Sequence, residues 1–206
     1  SMKASFDVSH WMLNDMLKVQ LNIVSSRREN GPVDAAGSMI YRQAIMRNPT
    51  EPIYNEDGTH YENFGINYYY NPVGILEEQT GKYIVENTRM TGNVTFEPIK
   101  GWQTNLMVGR RTSMSHDRGF ETTEYYGQEI YNYTGTASHS QGESRTDNLE
   151  LTSKYNHTWD KHRFDALVGY SYQYNVNEGF NAWNRNFPTD FYEYNNLGIG
   201  TYLKDG

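Results

Sequence analysis

The connections between the strand-like segments of this chain alternate between two very different lengths. Turns of only a few residues alternate with long, polar, tyrosine-rich segments. The short turns lie at Asn14-Asp15, Pro98-Ile99-Lys100-Gly101 and Trp159-Asp160-Lys161. Short turns at one end of a sheet and long loops at the other are typical of the wall of a transmembrane β-barrel.

The residues beside these turns alternate between apolar and polar side chains. Met90, Val94 and Phe96 fall on one face of a strand, and Thr91 and Asn93 fall on the other. A barrel tolerates such a polar face because its interior holds water, whereas lipid requires every backbone polar group to be paired between strands. The period of two therefore favours membrane-crossing strands over helices.

This pattern predicts six strands, at about residues 3–12, 17–23, 83–97, 102–113, 147–158 and 162–176. Strands of soluble sheets usually have about 5 or 6 residues, and most of these are longer. We therefore predict an all-β fold, an antiparallel up-and-down meander that forms a partial transmembrane β-barrel of about six strands with long outer loops. On the sixth strand, Phe164, Val168 and Tyr170 are expected to face lipid, and Asp165 and Ser171 the lumen.

The three remaining segments are predicted to be loops, at about residues 30–82, 114–146 and 177–206. The first contains a short helix between Ala36 and Arg47, which Asn48-Pro49 ends. The start at Ser1-Met2 and the end at Lys204-Asp205-Gly206 resemble cut sites. We therefore expect residues 1–206 to be a single segment of a barrel whose other strands lie elsewhere.

Composition excludes several classes of protein. No apolar run approaches the roughly 20 residues of a membrane-spanning helix. The net charge of −7 argues against nucleic acid as a partner, because phosphate binding needs clustered lysine and arginine. Without cysteine, disulfides and thiolate-bound metals are excluded.

No catalytic residue, metal site or cofactor is predicted. The histidines lack metal-ligand spacing, and Asn55-Glu56-Asp57-Gly58 starts like a calcium loop but has no downstream glutamate at the required distance. That sequence instead predicts a turn. Carboxylate pairs such as Glu77-Glu78 have no nucleophile or base in the pattern of an active site, so we expect solvated surface and not an enzyme.

The aromatic residues of the loops are the candidate binding groups. Aromatic faces beside asparagine, aspartate and glutamine can hold a sugar ring or a peptide by stacking and directed hydrogen bonds. The alternative is that large loops need aromatic residues for their own packing. The residues chosen as candidate contacts are Tyr68, Tyr69, Tyr70, Trp183 and Tyr192.

The order of motifs resembles a stretch of barrel from the SusC/RagA-type TonB-dependent outer-membrane transporters. The resemblance is carried by Asn48-Pro49-Thr50-Glu51-Pro52-Ile53-Tyr54-Asn55-Glu56-Asp57-Gly58, by Asn71-Pro72-Val73, and by Phe96-Glu97-Pro98-Ile99-Lys100-Gly101-Trp102. It spans most of the chain and is weakest over about the last 30 residues.

The resemblance implies a Gram-negative outer-membrane barrel that contacts lipid, imports oligosaccharides or peptides, and is capped by a SusD-like surface lipoprotein. It also implies energy supply by TonB through a plug, which this sequence does not contain. Two alternatives remain open at this point. One is a soluble all-β carbohydrate-binding module with aromatic loops, and the other is a β-rich glycoside hydrolase.

Overall fold

Six strands form one antiparallel sheet in chain order in the computed structural model, which describes residues 1–31, 33–126 and 132–205. Each strand is therefore paired with its neighbours in sequence, which is the predicted up-and-down meander. The strands are β1 (Met2–Met12), β2 (Leu17–Asn30), β3 (Gln79–Ile99), β4 (Trp102–Glu121), β5 (Thr136–Trp159) and β6 (His162–Arg185).

The helices are short and lie in the long connections. They are α1 (Val33–Met46), α2 (Pro72–Glu77) and α3 (Tyr202–Asp205), with 3-10 turns at Glu193–Asn195 and Leu197–Ile199. The predicted helix between Ala36 and Arg47 is confirmed as α1. Among the described residues, no helix is long and apolar enough to cross a membrane.

The three predicted short turns are confirmed. Residues 13–16 join β1 to β2, Lys100 and Gly101 join β3 to β4, and Asp160 and Lys161 join β5 to β6. Gly101 has a φ of +92°, and a Cβ there would lie 2.4 Å from the carbonyl oxygen of Asn156. Glycine is therefore required at this turn by both backbone conformation and space.

The strands extend further than the sequence pattern predicted. β5 and β6 each have 24 residues and β3 has 21. The prediction of loop was therefore wrong for residues 79–82, 114–121, 136–146 and 177–185. These stretches carry polar residues on both faces, so apolar residues do not recur at every second position. Their backbones nevertheless continue the strands of the sheet.

Contacts between neighbouring strands define one continuous face of the sheet, which we call the apolar face. Phe6 lies opposite Ile23 in the register of β1 and β2. The hydroxyls of Ser25 and Thr88 are 3.3 Å apart and join β2 to β3. Directly paired side chains share a face, so even positions of β1 and β3 lie with odd positions of β2.

Side-chain contacts also show which residues of the last three strands lie on the apolar face. The indole N–H of Trp102 donates to the hydroxyl of Ser153 at 3.0 Å, and the rings of Tyr155 and Phe164 are 6.4 Å apart. On β6 the apolar face therefore carries the even positions. This is the alternation expected for Phe164, Val168 and Tyr170.

The apolar face is open in the described part of the chain. Val8, Val108, Leu151 and Val168 are 45%, 52%, 42% and 73% exposed. A soluble sandwich would cover such a face with a second sheet, but all six described strands belong to one sheet. This observation argues against the carbohydrate-binding sandwich and for a face that requires lipid.

A row of ion pairs follows the apolar residues on the same face. Arg27 pairs with Glu86 at 3.1 Å, and Arg110 pairs with Asp147 at 2.6 Å. Arg145 also lies 3.5 Å from Asp147. Charged side chains are unfavourable in hydrocarbon, so this row marks where the lipid-compatible surface ends.

The chain divides into two compact units, which we describe separately. The turn unit contains Ser1–Arg28, Val85–Met114 and Gly142–Glu178, and therefore all three short turns. The loop unit contains Glu29–Ile84, Ser115–Gln141 and Gly179–Gly206, and therefore the helices and long connections. This division matches the alternation of connection lengths in the sequence.

Val168→Arg should destabilise the barrel by about 2 to 4 kcal/mol, because it places a charge on the lipid side near the middle of the apolar band. The control is Ser171→Arg, which lies on the polar face and should change stability much less. Denaturant unfolding of the full-length barrel in lipid vesicles measures both values. Tolerance of arginine at 168 together with sensitivity at 171 would invert the assignment of the two faces.

Candidate functional site

Two buried amide side chains fix the first long connection of the loop unit. Gln43 of α1, which is 1% exposed, donates to the carbonyl oxygen of Tyr68 and accepts from the N–H of Tyr70, both at 3.0 Å. Asn71 caps α2 by accepting from the N–H of Val73 at 3.1 Å. Its amide donates to the carbonyl oxygen of Ile53 at 2.7 Å.

The three consecutive tyrosines consequently have different environments. Tyr69 is 5% exposed, and its hydroxyl donates to Glu51 at 2.5 Å and accepts from the N–H of Asn48 at 2.7 Å. This hydrogen bond from Tyr69 lowers the pKa of the Glu51 carboxyl. Tyr69 therefore ties the chain after α1 to the rest of the loop.

Tyr70 lies in a small hydrophobic core with Ile75 and Tyr125. Its ring stacks on that of Tyr126, with 4.1 Å between centroids. Neither Tyr69 nor Tyr70 offers an open ring face, and both pack within the loop, so ligand contact at these two positions stays a prediction. Tyr68, in contrast, has a φ of +57° and is 65% exposed.

The second aromatic group lies at the end of β6. The rings of Trp183 and Tyr202 stack with centroids 5.3 Å apart and planes 25° apart. The guanidinium carbon of Arg185 lies 3.8 Å from the Tyr202 ring centre, 5.6 Å from that of Tyr133 and 5.9 Å from that of Trp183. We call these four residues the arginine–aromatic cluster.

A buried asparagine holds the last segment of the chain against this cluster. The amide of Asn184, which is 3% exposed, donates to the carbonyl oxygens of Leu197 at 2.9 Å and Gly200 at 2.7 Å. Its side-chain oxygen accepts from the N–H of Leu203 at 3.3 Å. These bonds position Tyr202 next to Trp183 and Arg185.

The ring of Tyr192 contacts a residue outside this cluster. Its ring meets that of Phe191 edge to face at 5.1 Å. Phe191 is 83% exposed and Tyr192 is 46% exposed. Trp183, at 43%, also keeps part of its surface open. Tyr68, Trp183 and Tyr192 therefore remain candidate contacts.

Sequence reasoning missed Arg185 and Tyr202. The spacing of Trp183 and Arg185 could have indicated that they lie together, because residues two apart on a strand point to the same face of the sheet. No sequence signal pointed to Tyr202, since its place depends on the Asn184 hydrogen bonds to residues 13 to 19 positions later in the chain.

His60 lies between two carboxylates that approach opposite sides of its ring. Its Nε2 lies 3.0 Å from Glu77, and its Nδ1 lies 3.2 Å from Glu78. Because the carboxylates approach opposite ring nitrogens, all three groups cannot share one ion. No group of three histidine or acidic side chains suited to a metal ion occurs among the described residues.

Known proteins resemble this chain in sequence and in structure. No family model matches the sequence. The chain is 26% identical over 193 residues to a TonB-dependent receptor P3 of Formosa agariphila, an alignment that covers 89% of this chain and 19% of that protein. Its fold is similar to a chain of the solved RagAB peptide transporter, with a TM-score of 0.71 at 15% identity.

The structural match covers 96% of this chain and 23% of the transporter chain, so this chain spans about a fifth of the length of the proteins it matches. These findings confirm the resemblance: the chain is similar to a barrel segment of a SusC/RagA-type TonB-dependent transporter. The two names describe a receptor and a transporter, which supports the prediction that the chain is not an enzyme.

Glu121→Gln should stabilise the loop unit at neutral pH. Burial raises the pKa of the Glu121 carboxyl, while a hydrogen bond from Gln79 at 3.3 Å opposes that shift. A raised folded-state pKa means that the folded protein binds the proton more tightly, so stability falls as pH rises above the ordinary value of 4.5.

Hydrogen exchange at Phe120 and Tyr125, corrected for intrinsic rates, measures this effect. Between pH 4 and pH 7 the wild type should lose more protection than the glutamine variant, because glutamine does not titrate. The same pH dependence in both proteins would contradict a role for Glu121.

Proposed function

We propose that this chain forms part of the wall and the outer loops of a TonB-dependent importer for oligosaccharides or peptides in the outer membrane of a Gram-negative bacterium. The observation that carries the proposal is the meander of long strands, with its open apolar face and its short and long connections grouped in different units. An importer needs a lipid-compatible wall and variable loops, and this chain has residues suited to both roles.

We also propose that residues 1–206 are a single barrel segment completed by strands and a plug from the rest of a longer protein. Six strands are fewer than the roughly eight of the smallest bacterial outer-membrane barrels. The extent of the matched proteins supports the same conclusion, because the chain spans only 19% of one and 23% of the other.

Two partners belong to the proposal. A SusD-like surface lipoprotein would cover the outer loops, and TonB would act through the plug. Both follow from the resemblance to SusC/RagA-type transporters. The open aromatic residues, Tyr68, Trp183 and Tyr192, are the groups we assign to contact with substrate or with the lipoprotein.

The long connections should face the outside of the cell and the short turns the periplasm. The chain has no cysteine, so Glu56→Cys and Lys100→Cys provide single reporters at exposed positions. In a full-length protein free of other cysteines, a membrane-impermeant maleimide should label position 56 on intact cells. Position 100 should react only after the outer membrane is permeabilised, and the opposite pattern would overturn the topology.

Substitution of the open aromatics should weaken import without loss of assembly. Tyr68→Ala and Trp183→Ala should each cost about 1 to 3 kcal/mol of substrate affinity if the ring is an anchor. Tyr68→Phe and Trp183→Phe keep a ring and serve as matched controls. Growth on an oligomeric nutrient is measured together with the surface level of the protein, and normal import by both alanine variants would leave these rings with packing roles only.

A further inference from the structure

The guanidinium of Arg185 is held by aromatic rings instead of by carboxylates. Its closest ring, that of Tyr202, lies at 3.8 Å, which is stacking distance. Stacking fixes the plane of the guanidinium while leaving its N–H edge free for hydrogen bonds. A planar, oriented donor edge is the geometry that recognises a carboxylate with two parallel hydrogen bonds.

Arg185 also differs from the arginines that have a close carboxylate partner. Arg27, Arg110 and Arg163 each form an ion pair with an acidic side chain at 3.1 Å or less. Among the side chains that the structure describes, no carboxylate pairs with Arg185, and its buried Nε has no hydrogen-bond partner. A cation with unfilled hydrogen-bonding capacity is suited to an anionic ligand.

The rings around Arg185 supply the second element of a binding site. Trp183 and Tyr202 are 43% and 39% exposed, so the arrangement leaves aromatic surface next to the cation. Aromatic surface can stack on a sugar ring or on an apolar part of a peptide, and the guanidinium can fix an attached carboxylate. The two contacts together would recognise an amphipathic acidic molecule.

We propose that the arginine–aromatic cluster selects nutrients that carry a carboxylate, with Arg185 as the binding residue for that group. The inference rests on the proposed import function and names the substrate class. Within this chain, whose net charge is −7, a fixed cation offsets the repulsion that an acidic nutrient would otherwise meet.

Two pairs of probes that differ only in the carboxylate test the proposal in the full-length transporter. One pair is a trigalacturonate and its carboxyl-reduced, neutral counterpart. The other is a hexapeptide with a free C-terminus and the same peptide with a C-terminal amide. The pairs also distinguish an acidic sugar from a peptide terminus as the source of the carboxylate.

The variants are Arg185→Gln, Arg185→Lys and the control Arg163→Gln, which removes the same charge beside a short turn. In at least one pair, the wild type should import the carboxylate form faster than the neutral form. Arg185→Gln should reduce import of the carboxylate form at least tenfold and leave the neutral form unchanged at equal surface level. Arg185→Lys should import the carboxylate form faster than Arg185→Gln but more slowly than the wild type. Arg163→Gln should import like the wild type.

The outcomes separate the two proposals. Equal import by the wild type of both members in each pair overturns the inference. Loss of import of both the neutral and the carboxylate form in Arg185→Gln also overturns it, because that result would indicate a structural role. Import of no oligomer by the wild type overturns the proposed function as well. If Arg185→Gln loses import of the carboxylate form in only one pair of probes, the inference is supported. The affected pair then shows whether the carboxylate comes from an acidic sugar or from a peptide terminus.

Discussion

The continuous backbone ladder between consecutive strands is the constraint on which the rest of this structure depends. Every interior strand pairs on both sides with its neighbours in sequence. A membrane cannot supply hydrogen bonds to backbone groups, so this ladder is the condition under which the chain can present an apolar face to lipid. Side chains then alternate about the ladder, and a lipid face and a polar face follow from the same backbone.

The loop unit is stabilised in a different way, because much of its long connections forms no backbone hydrogen bonds between neighbouring strands. Buried amides replace these bonds: Gln43, Asn71 and Asn184 each form hydrogen bonds with backbone groups at least 13 residues away in sequence. An amide side chain carries both donors and an acceptor, so one residue can fix two segments. Tyr68 is thereby held on an ordered loop, and Trp183 and Arg185 lie at the end of β6 beside an ordered segment, which is a favourable arrangement for recognition.

The aromatic residues of the loops divide by burial and not by sequence. Tyr69 and Tyr70 serve packing, while their neighbour Tyr68 is exposed. Adjacent residues in a loop point in unrelated directions because the backbone has no fixed period there. The same lack of period explains why Tyr202 was missed, although Trp183, its stacking partner, was identified.

The sequence by itself determined the number of strands, their order, the short turns and the division into an apolar and a polar face. These features depend on local alternation and turn residues, which one chain segment carries without reference to the others. Only the tertiary structure decided the true ends of the strands, the burial of Tyr69 and Tyr70, and the assembly of Trp183, Arg185 and Tyr202. Those depend on contacts between residues far apart in sequence, such as the bonds of Asn184 to Leu197 and Gly200, and no local pattern encodes them.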